Sequence, residues 1–334
     1  MSRFDRELDF ALPVRTLQQW ANQGVRRGSL QGDRYARVGY GYYRRTPDDG
    51  VVTATQRILD ARASMPAGAL IAGWAAAYVH GVDALDGLDD HTLTPLPVPV
   101  LLPPRQHREH AHGIRYQQTK RPIRGELVHD IPVTMRLRTA LDLARSAPTL
   151  TESVVPLDAF LGARLLTTDQ LRRGVERWPS GRGTCQLRAA VAQARVGVRN
   201  GWETRLRMFA VLELGLTDLE PNRAVFDQRG NLLGIPDLLD AEAALALEYD
   251  GATWRSDRTM GHRDREQHRE DNAREERLER AGLIVVRAEK SDLTQHAARL
   301  GERILSARAD GLRRDRSRDH WTLDEPDSWF GVPA

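Results

Sequence analysis

The amino-acid sequence predicts an α/β protein with several structural regions. At 334 residues the chain is long enough for two or three domains, each with its own core. Its composition, with 40% hydrophobic and 28% charged residues, is typical of globular proteins. Short alternating or β-branched runs, typical of strands, lie between helical stretches that begin at capping residues and end at glycine. These patterns predict four regions, at residues 1–50, 51–195, 196–310 and 311–334.

The cysteine content and the distribution of apolar residues narrow the class of protein. Cys185 is the only cysteine, so an internal disulfide is impossible and a reducing cytoplasm is the expected location. The N-terminal residues lack the apolar core of a signal peptide. The longest apolar run, residues 67–79, is too short to span a bilayer. We therefore expect a cytoplasmic protein with no membrane partner.

The net charge favours polyanionic partners only weakly. The formal charge is +3 and the isoelectric point is about 9.2. Lys120 and Lys290 are the only lysines, so nearly every basic side chain is an arginine, as in proteins encoded by GC-rich genomes. The positions of the arginines are therefore more informative than their number.

Residues 1–50 are predicted to form a winged-helix-like unit. Residues 13–24 begin at a proline and end at a glycine, as a short helix does. A basic turn follows, and residues 35–45 are an aromatic and β-branched run with interspersed arginines, which predicts a hairpin. Helix, basic turn and basic hairpin are the outline of a DNA-binding winged helix-turn-helix. A small helix-plus-hairpin cap with solvated arginines explains the pattern equally well. The candidate DNA-contacting residues are Arg26, Arg27, Arg44 and Arg45.

Residues 51–195 are predicted to form a mixed α/β region. Pro99 cannot donate a ladder hydrogen bond, which predicts that its strand lies at the edge of a sheet. Three histidines between the two predicted strands resemble a metal cluster, but no cysteine or carboxylate completes a recognisable ligand spacing, and a solvated loop is the preferred interpretation. These histidines are His107, His110 and His112. Helices are predicted at 51–65, 67–81, 135–146 and 167–175, and strands at 98–102 and 114–118.

Residues 196–310 are predicted to form a compact α/β domain of about a hundred residues. Residues 311–334 lack periodicity and are expected to form an extended tail available to pack on a neighbouring molecule. The predicted elements of the domain are a helix at 201–215, a strand at 224–227, two acidic strands within 234–251, a helix at 262–281, a strand at 283–288 and a helix at 292–309.

The two acidic strands contain the main candidate site. Period-two alternation puts Glu248 and Asp250 on one face of the second strand. If the four residues after Asp240 form a hairpin loop, Asp240 opposes Leu245 and Asp237 opposes Glu248. Asp237, Glu248 and Asp250 then converge, and clustered carboxylates repel one another unless a cation is present. Mg²⁺ is the usual cation for such clustered oxygens.

This arrangement suits the hydrolysis of a phosphodiester, because metal ions held by carboxylates activate water and neutralise charge on the phosphate and the leaving oxygen. Asp237 and Glu248 would bind Mg²⁺ or Mn²⁺, and Asp250 would bind the metal or orient water. Glu203 would assist from its helix. The arginines expected to contact phosphate are Arg263, Arg265, Arg269, Arg274 and Arg277.

Other interpretations of the same acids stay open. Glu203 has Arg207 four residues later on the same helix, a spacing that is common for ion pairs on a helix surface. The acids of the two strands could instead pair with the many arginines, or discourage aggregation at a sheet edge.

The acidic strands also resemble a known motif. Pro236-Asp237, followed after ten residues by Glu248-Tyr249-Asp250, is similar to the motif of the PD-(D/E)XK nuclease superfamily. Residues 201–300 resemble the endonuclease-like family near the very-short-patch-repair endonucleases, with its Glu-bearing helix, Glu-Tyr-Asp-Gly strand end, charged helix and Val-Val-Arg strand. The resemblance implies a restriction-endonuclease-like core, a mixed sheet flanked by helices. It also implies an Mg²⁺- or Mn²⁺-dependent DNA endonuclease acting in DNA repair or phage defence.

Two features depart from that family pattern. Asp250 stands where the superfamily usually has a lysine that positions the attacking water. Trp254 and Arg255 stand where a histidine commonly follows the Asp-Gly pair. The candidate replacements are His262 or His268 for the histidine and Lys290 for the lysine.

The upstream part is similar to AbiEi-like type IV antitoxin-domain proteins. The similarity rests on residues 40–43, 73–81 and 131–144. It implies a catalytically inactive DNA-binding regulator with a toxin or another protein as partner, and this alternative stands beside the endonuclease. In a third alternative the basic face binds RNA. Because enzymes that make double-strand breaks often need two active sites, a homodimer is a further expectation.

Overall fold

The computed structural model describes residues 1–109, 113–119, 124–251, 274–327 and 329. The chain divides into two units, Met1–Ala192 and Gln193–Ala334. Both contain helices and mixed or antiparallel sheets, so the predicted α/β class is confirmed. Within the described residues no helix has both the length and the apolar character needed to cross a bilayer.

Residues 1–50, hereafter the helix–hairpin module, contain a three-stranded sheet of order β1-β3-β2. The predicted first helix starts late, at Leu17, because the residues before it enter the sheet opposite β3. Thr16 then caps the helix, its hydroxyl accepting from the Gln19 amide. The elements of the module are α1 (Arg3–Leu8), β1 (Arg15–Thr16), α2 (Leu17–Asn22), a 3₁₀ helix (Arg27–Gln31), β2 (Tyr35–Gly39) and β3 (Tyr42–Arg45).

The rest of the first unit is built on a five-stranded sheet of order β6-β5-β4-β8-β7. The helix predicted at 67–81 begins only at Gly73, because Leu70 and Ile71 form the buried central strand β4. The elements are α3 (Ala54–Ser64), β4 (Leu70–Ile71), α4 (Gly73–Val79), β5 (Val98–Leu102), β6 (Ile114–Gln118), β7 (Gly125–Val128), β8 (Ile131–Thr134), α5 (Arg136–Ser146), α6 (Leu150–Gly162), α7 (Thr168–Glu176) and α8 (Thr184–Gln193).

β5 is an interior strand, so the prediction that Pro99 places it at a sheet edge is wrong. β5 pairs in parallel with β6 and antiparallel with β4. The Pro99 carbonyl accepts a hydrogen bond from the Ala72 amide. Because the amide and carbonyl of one strand residue point to the same side, the missing Pro99 donor also faces β4. β4 pairs with β5 only at Val100 and Leu101, so the ladder between these two strands ends where the Pro99 donor is missing.

The second unit contains a four-stranded sheet of order β14-β13-β12-β9 and a three-stranded sheet of order β11-β10-β15. The helix predicted at 292–309 is divided into α11 and α12, and the helix predicted at 262–281 is described only from residue 274. The elements are α9 (Gly201–Leu214), β9 (Glu220–Pro221), β10 (Val225–Asp227), β11 (Leu232–Gly234), β12 (Leu238–Asp240), β13 (Leu245–Tyr249), α10 at residues 274–280, β14 (Ile284–Ala288), α11 (Lys290–Thr294), α12 (Ala297–Arg313), a 3₁₀ helix (Arg316–Arg318) and β15 (Trp321–Thr322).

The strand pairing fixes which chain ends meet at one end of the four-stranded sheet. β12 and β13 form the predicted antiparallel hairpin, with Asp240 opposite Leu245. β13 and β14 run in parallel, with Tyr249 opposite Ala288. The start of β12 and the carboxyl ends of β13 and β14 therefore lie at the same end of this sheet.

The two faces of β13 pack against different helices. Leu245 and Leu247 are fully buried in one core together with Leu206 of α9 and Ile304 of α12. Ala246 is buried on the opposite face, in a second core that includes α10. Burying several large apolar side chains, each contributing about 1.5–3 kcal/mol, fixes α9 against the sheet.

The C-terminal segment is part of the second unit, so the expectation of an extended tail at 311–334 is wrong. α12 continues to Arg313, and β15 pairs with β10, with Thr322 opposite Phe226. The rings of Phe226 and Trp329 also meet edge to face at a centroid distance of 5.2 Å. These aromatic side chains, which show no periodicity in the sequence, therefore pack within the second unit and not on a neighbouring molecule.

Gly311 provides a test of how α12 sits on the β12–β13 hairpin. A Cβ atom at this buried glycine would overlap the Ala243 backbone carbonyl. Gly311→Ala therefore gains up to about 1 kcal/mol of helix propensity but incurs about 1–3 kcal/mol of overpacking. We expect a lower midpoint of thermal denaturation. Gly181→Ala, where no atom lies within 4 Å of the added methyl group, should leave the midpoint unchanged. An unchanged or higher midpoint for Gly311→Ala would contradict the close approach.

Candidate active site

Glu203 lies in the first turn of α9, and its side chain is buried. It is 3% exposed, so a helix-surface ion pair does not describe it. Its Oε2 atom accepts hydrogen bonds from the Arg199 amide at 2.9 Å and from Asn222 Nδ2 at 3.0 Å. Its Oε1 atom accepts one from Asn200 Nδ2 at 2.5 Å. Asn200 also caps α9, so the capping residue and the buried carboxylate fix each other.

Asp237 lies immediately before β12, at the end of the sheet where β13 ends. Its Oδ2 atom accepts a hydrogen bond from the Tyr249 amide at 2.7 Å. Its backbone carbonyl accepts one from the Asn222 amide at 3.0 Å. Asn222 thus contacts both acidic residues, one through its side chain and the other through its backbone.

The carboxylates of Glu203 and Asp237 repel each other. Burial and then the nearby Asp237 carboxylate raise the pKa of Glu203 to about 7, although the hydrogen bonds from Arg199 and Asn222 oppose the increase. Loss of solvation and like-charge repulsion both disfavour the ionised form. The protonated form of Glu203 therefore persists up to near-neutral pH.

Glu248 and Asp250 interact with arginines. Arg274 of α10 donates from Nη2 to Glu248 Oε2 at 2.7 Å. Arg287 of β14 forms an ion pair with Asp250 at 3.7 Å. Among the described residues no group of three histidine, cysteine or acidic side chains could hold a metal ion. The described residues therefore do not bring Asp237, Glu248 and Asp250 together as one metal cluster. Glu248 pairs with Arg274 instead, and Arg287, next to Asp250, also pairs with Glu275.

Aromatic and basic side chains adjoin the carboxylate pair. The Trp202 ring stacks on Tyr249 with a centroid distance of 5.6 Å and an interplanar angle of 4°. The Arg205 guanidinium lies 4.6 Å and the Lys290 ammonium 5.6 Å from the centroid of the Trp202 ring. Lys290 begins α11 directly after β14, which places it at the same end of the sheet. Its role as a replacement for the missing lysine stays a prediction.

Arg44, predicted to contact DNA, has a structural role instead. Its side chain is buried, and Nε donates to both carboxylate oxygens of Asp60 in α3, at 2.8 and 3.1 Å. The prediction for Arg44 is therefore wrong, because alternation along β3 turns this residue inward. Two exposed arginines of the same module, Arg34 and Arg37, were missed by the sequence analysis. Arg26, Arg27 and Arg45 are exposed as expected.

Several predicted residues lie outside the described part of the chain. Of the five arginines predicted to contact phosphate in this domain, the structure describes two. Arg274 contacts Glu248, and Arg277 donates from Nε to the Leu233 carbonyl at 3.1 Å. The residues not described are Lys120, Trp254, Arg255, His262, Arg263, Arg265, His268 and Arg269, together with His110 and His112.

Asn222 is the residue of the site that sequence reasoning missed. It has a φ of 50°, in the left-handed region that asparagine tolerates better than most residues. The only signal in the sequence was Pro221-Asn222, a pair typical of turns. Such a pair predicts a change of chain direction but not a contact with an acid nineteen residues earlier.

Comparison with known proteins adds little to this geometry. No family model matches the chain, and no curated protein matches it significantly. The solved structure of the Rv2827c protein from Mycobacterium tuberculosis aligns with 63% of this chain and 78% of its own, at 17% identity and a TM-score of 0.35. A likeness this weak does not bear on activity.

The raised pKa of Glu203 predicts a pH-dependent stability. The pKa is 4.5 in the unfolded chain and about 7 in the folded protein, so the unfolded state ionises first as pH rises. The free energy of unfolding should therefore fall between pH 4.5 and 7, by up to about 3 kcal/mol from this group. The glutamine of Glu203→Gln cannot ionise. The free energy of unfolding of this variant, relative to that of wild type, should therefore increase steadily between pH 4.5 and 7. Thermal denaturation between pH 4.5 and 8 tests this.

The matched control is Glu213→Gln, at an exposed position on the same helix. It should leave the pH dependence of the denaturation midpoint unchanged. A Glu203→Gln curve parallel to that of wild type would show that Glu203 titrates normally in the folded protein.

Proposed function

We propose that the chain is a DNA endonuclease that depends on Mg²⁺ or Mn²⁺ and is centred on Glu203 and Asp237. The observation that carries the proposal is the buried Glu203 carboxylate, whose pKa is raised by burial and by a second carboxylate. A divalent cation would remove that repulsion, and carboxylate oxygens are the ligands that Mg²⁺ and Mn²⁺ prefer.

The hydrogen bonds around Glu203 leave room for such an ion. A carboxylate offers about four acceptor positions. The three hydrogen bonds to Glu203 use two positions on Oε2 and one on Oε1, so Oε1 retains one position. Glu203 and Asp237 would hold the ion. When bound, it would supply an activated water and neutralise charge on the phosphate.

Side chains around the pair suit an anionic substrate. Lys290 and Arg205 bring positive charge to the Trp202 ring, next to Glu203 in the chain. Arg205 is buried, so a phosphodiester that approaches the acidic pair would meet mainly the charge of Lys290, which offsets its repulsion by the carboxylates. Glu203 and Asp237 would thus hold the cation, and Lys290 would attract the phosphate.

Asp237→Asn tests the endonuclease most simply. The asparagine retains an oxygen to accept the Tyr249 amide, so the hairpin should fold, but the charge that holds the cation is lost. Cleavage of supercoiled DNA with Mg²⁺ or Mn²⁺ should fall roughly a thousandfold, which corresponds to several kcal/mol of lost charge stabilisation. DNA binding should be retained or become tighter, since one negative charge has been removed.

Asp227→Asn is the control for this experiment. Asp227 is an acid of the same unit that contacts the exposed turn residue Asn231, away from the pair. Its activity should match wild type. If Asp237→Asn retained metal-dependent cleavage, the centre would be assigned to the wrong residues. If wild type cut neither DNA nor RNA with any divalent cation, the nuclease proposal would fail.

DNA binding without cleavage is the second candidate function, and the helix–hairpin module favours it. Between residues 26 and 45, five arginines of this module are exposed, and the guanidinium of one of them, Arg37, lies 5.7 Å from the ring centroid of the exposed Tyr40 at the hairpin tip. Such a basic surface matches the phosphate backbone of a duplex. These arginines are Arg26, Arg27, Arg34, Arg37 and Arg45.

Replacing Arg26 and Arg27 together by alanine tests the DNA-binding surface. If both contact phosphate, the slope of log affinity against log salt concentration should become shallower by about two. Fluorescence anisotropy with a labelled duplex, and with RNA of the same sequence, measures this. Arg172→Ala, an exposed arginine of α7, should not change the slope. A double variant with an unchanged slope would exclude this surface.

A further inference from the structure

Asn222 joins the helix that carries Glu203 to the strand that carries Asp237. Its Nδ2 atom donates to Glu203 at 3.0 Å, and its backbone amide donates to the Asp237 carbonyl at 3.0 Å. It directly follows β9, which pairs with β12. The residue is therefore fixed by the sheet on one side and supports the carboxylate of α9 on the other.

The other end of the Asn222 side chain is unsatisfied. Oδ1 is inaccessible to solvent and has no hydrogen-bond partner among the described residues. Leaving a buried acceptor without a partner costs about 1–3 kcal/mol, so a group that supplies a partner to this oxygen is favoured. The donation to Glu203 fixes the orientation of the amide, so the atom without a hydrogen-bond partner among the described residues is the oxygen and not the nitrogen.

The backbone of Asn222 has a φ of 50°, which asparagine adopts more readily than most other non-glycine residues. Glycine would make the same turn but could not donate to Glu203. The side-chain contact with the carboxylate, and not the turn, is therefore what requires asparagine here.

We propose that Asn222 is the positioning residue of the acidic pair: it holds Glu203 close to Asp237, and its amide oxygen receives the divalent cation or a water bound to that cation. The inference rests on the proposed function, because it adds a neutral oxygen to the cation site of Glu203 and Asp237. A cation or its water satisfies the buried acceptor and relieves the repulsion between the two carboxylates at the same time. Residues that orient metal ligands through hydrogen bonds typically contribute 10- to 100-fold to metal affinity.

The test uses the full-length protein with Asn222→Gly and Asn222→Asp. Glycine keeps the left-handed backbone but removes the amide. Aspartate keeps the shape and an oxygen but adds a negative charge and cannot donate to Glu203. The first measurement is Mn²⁺ binding at pH 7.5, monitored by electron paramagnetic resonance. The second is the titration of Glu203 in metal-free protein by ¹³C NMR, with its resonance assigned by its loss in Glu203→Gln.

We expect Asn222→Gly to bind Mn²⁺ about 10- to 100-fold more weakly than wild type. Its Glu203 pKa should rise further, because a donor that stabilises the carboxylate has been removed. Asn222→Asp should also raise the pKa of Glu203, through added repulsion, but should bind Mn²⁺ more tightly than Asn222→Gly. Asn231→Gly, which removes a comparable amide contact to Asp227 in the same unit, should match wild type in both measurements.

The outcomes separate this inference from the proposed function. If wild type and Asn222→Gly bind Mn²⁺ equally and share one Glu203 pKa, Asn222 is only a turn residue and the inference fails, whereas the proposed function stands. If wild type binds no Mn²⁺, the proposed function and the cation contact both fail. An increased Glu203 pKa in Asn222→Asp, whose side chain keeps the wild-type shape, supports the positioning role even if the glycine variant folds poorly.

Discussion

The burial of the Glu203 carboxylate close to a second carboxylate, Asp237, is the constraint on which the proposed site depends. Raising the pKa of Glu203 from 4.5 to about 7 corresponds to roughly 3 kcal/mol that folding must supply. The burial of Leu206, Leu245 and Leu247, at about 1.5–3 kcal/mol each, is more than enough to hold α9 against the sheet despite that cost. The hydrophobic core thus keeps two acids together that would otherwise separate.

The groups around the acids differ. Glu203 accepts hydrogen bonds from a backbone amide and two asparagine side chains, and the charge of Arg199 also stabilises its ionised form. Glu248 pairs with Arg274, whereas Asp250 lies 3.7 Å from Arg287, which also pairs with Glu275. Because Arg274 already contacts Glu248, we place the proposed cation site at Glu203 and Asp237.

Sequence patterns predicted the local features and missed those that depend on the tertiary structure. The hairpin register at Asp240 and Leu245 follows from alternation and loop length, so it is confirmed. The same alternation could not show that Arg44 turns inward to Asp60, because that contact requires α3 to lie beneath the hairpin. The role of Asn222 was invisible for the same reason: its partners belong to another helix and another strand. The endonuclease resemblance stays a prediction that the fold and the comparisons do not test.

The central claim is that Glu203 and Asp237 share one divalent cation. The most direct measurement is a crystal structure of the full chain soaked in Mn²⁺, with anomalous scattering recorded at the manganese absorption edge. The account predicts one anomalous peak within bonding distance of Glu203 Oε1 and a carboxylate oxygen of Asp237, at about 2.0–2.3 Å. No peak at this position, or a peak at Glu248 and Asp250 with their arginines displaced, would contradict it.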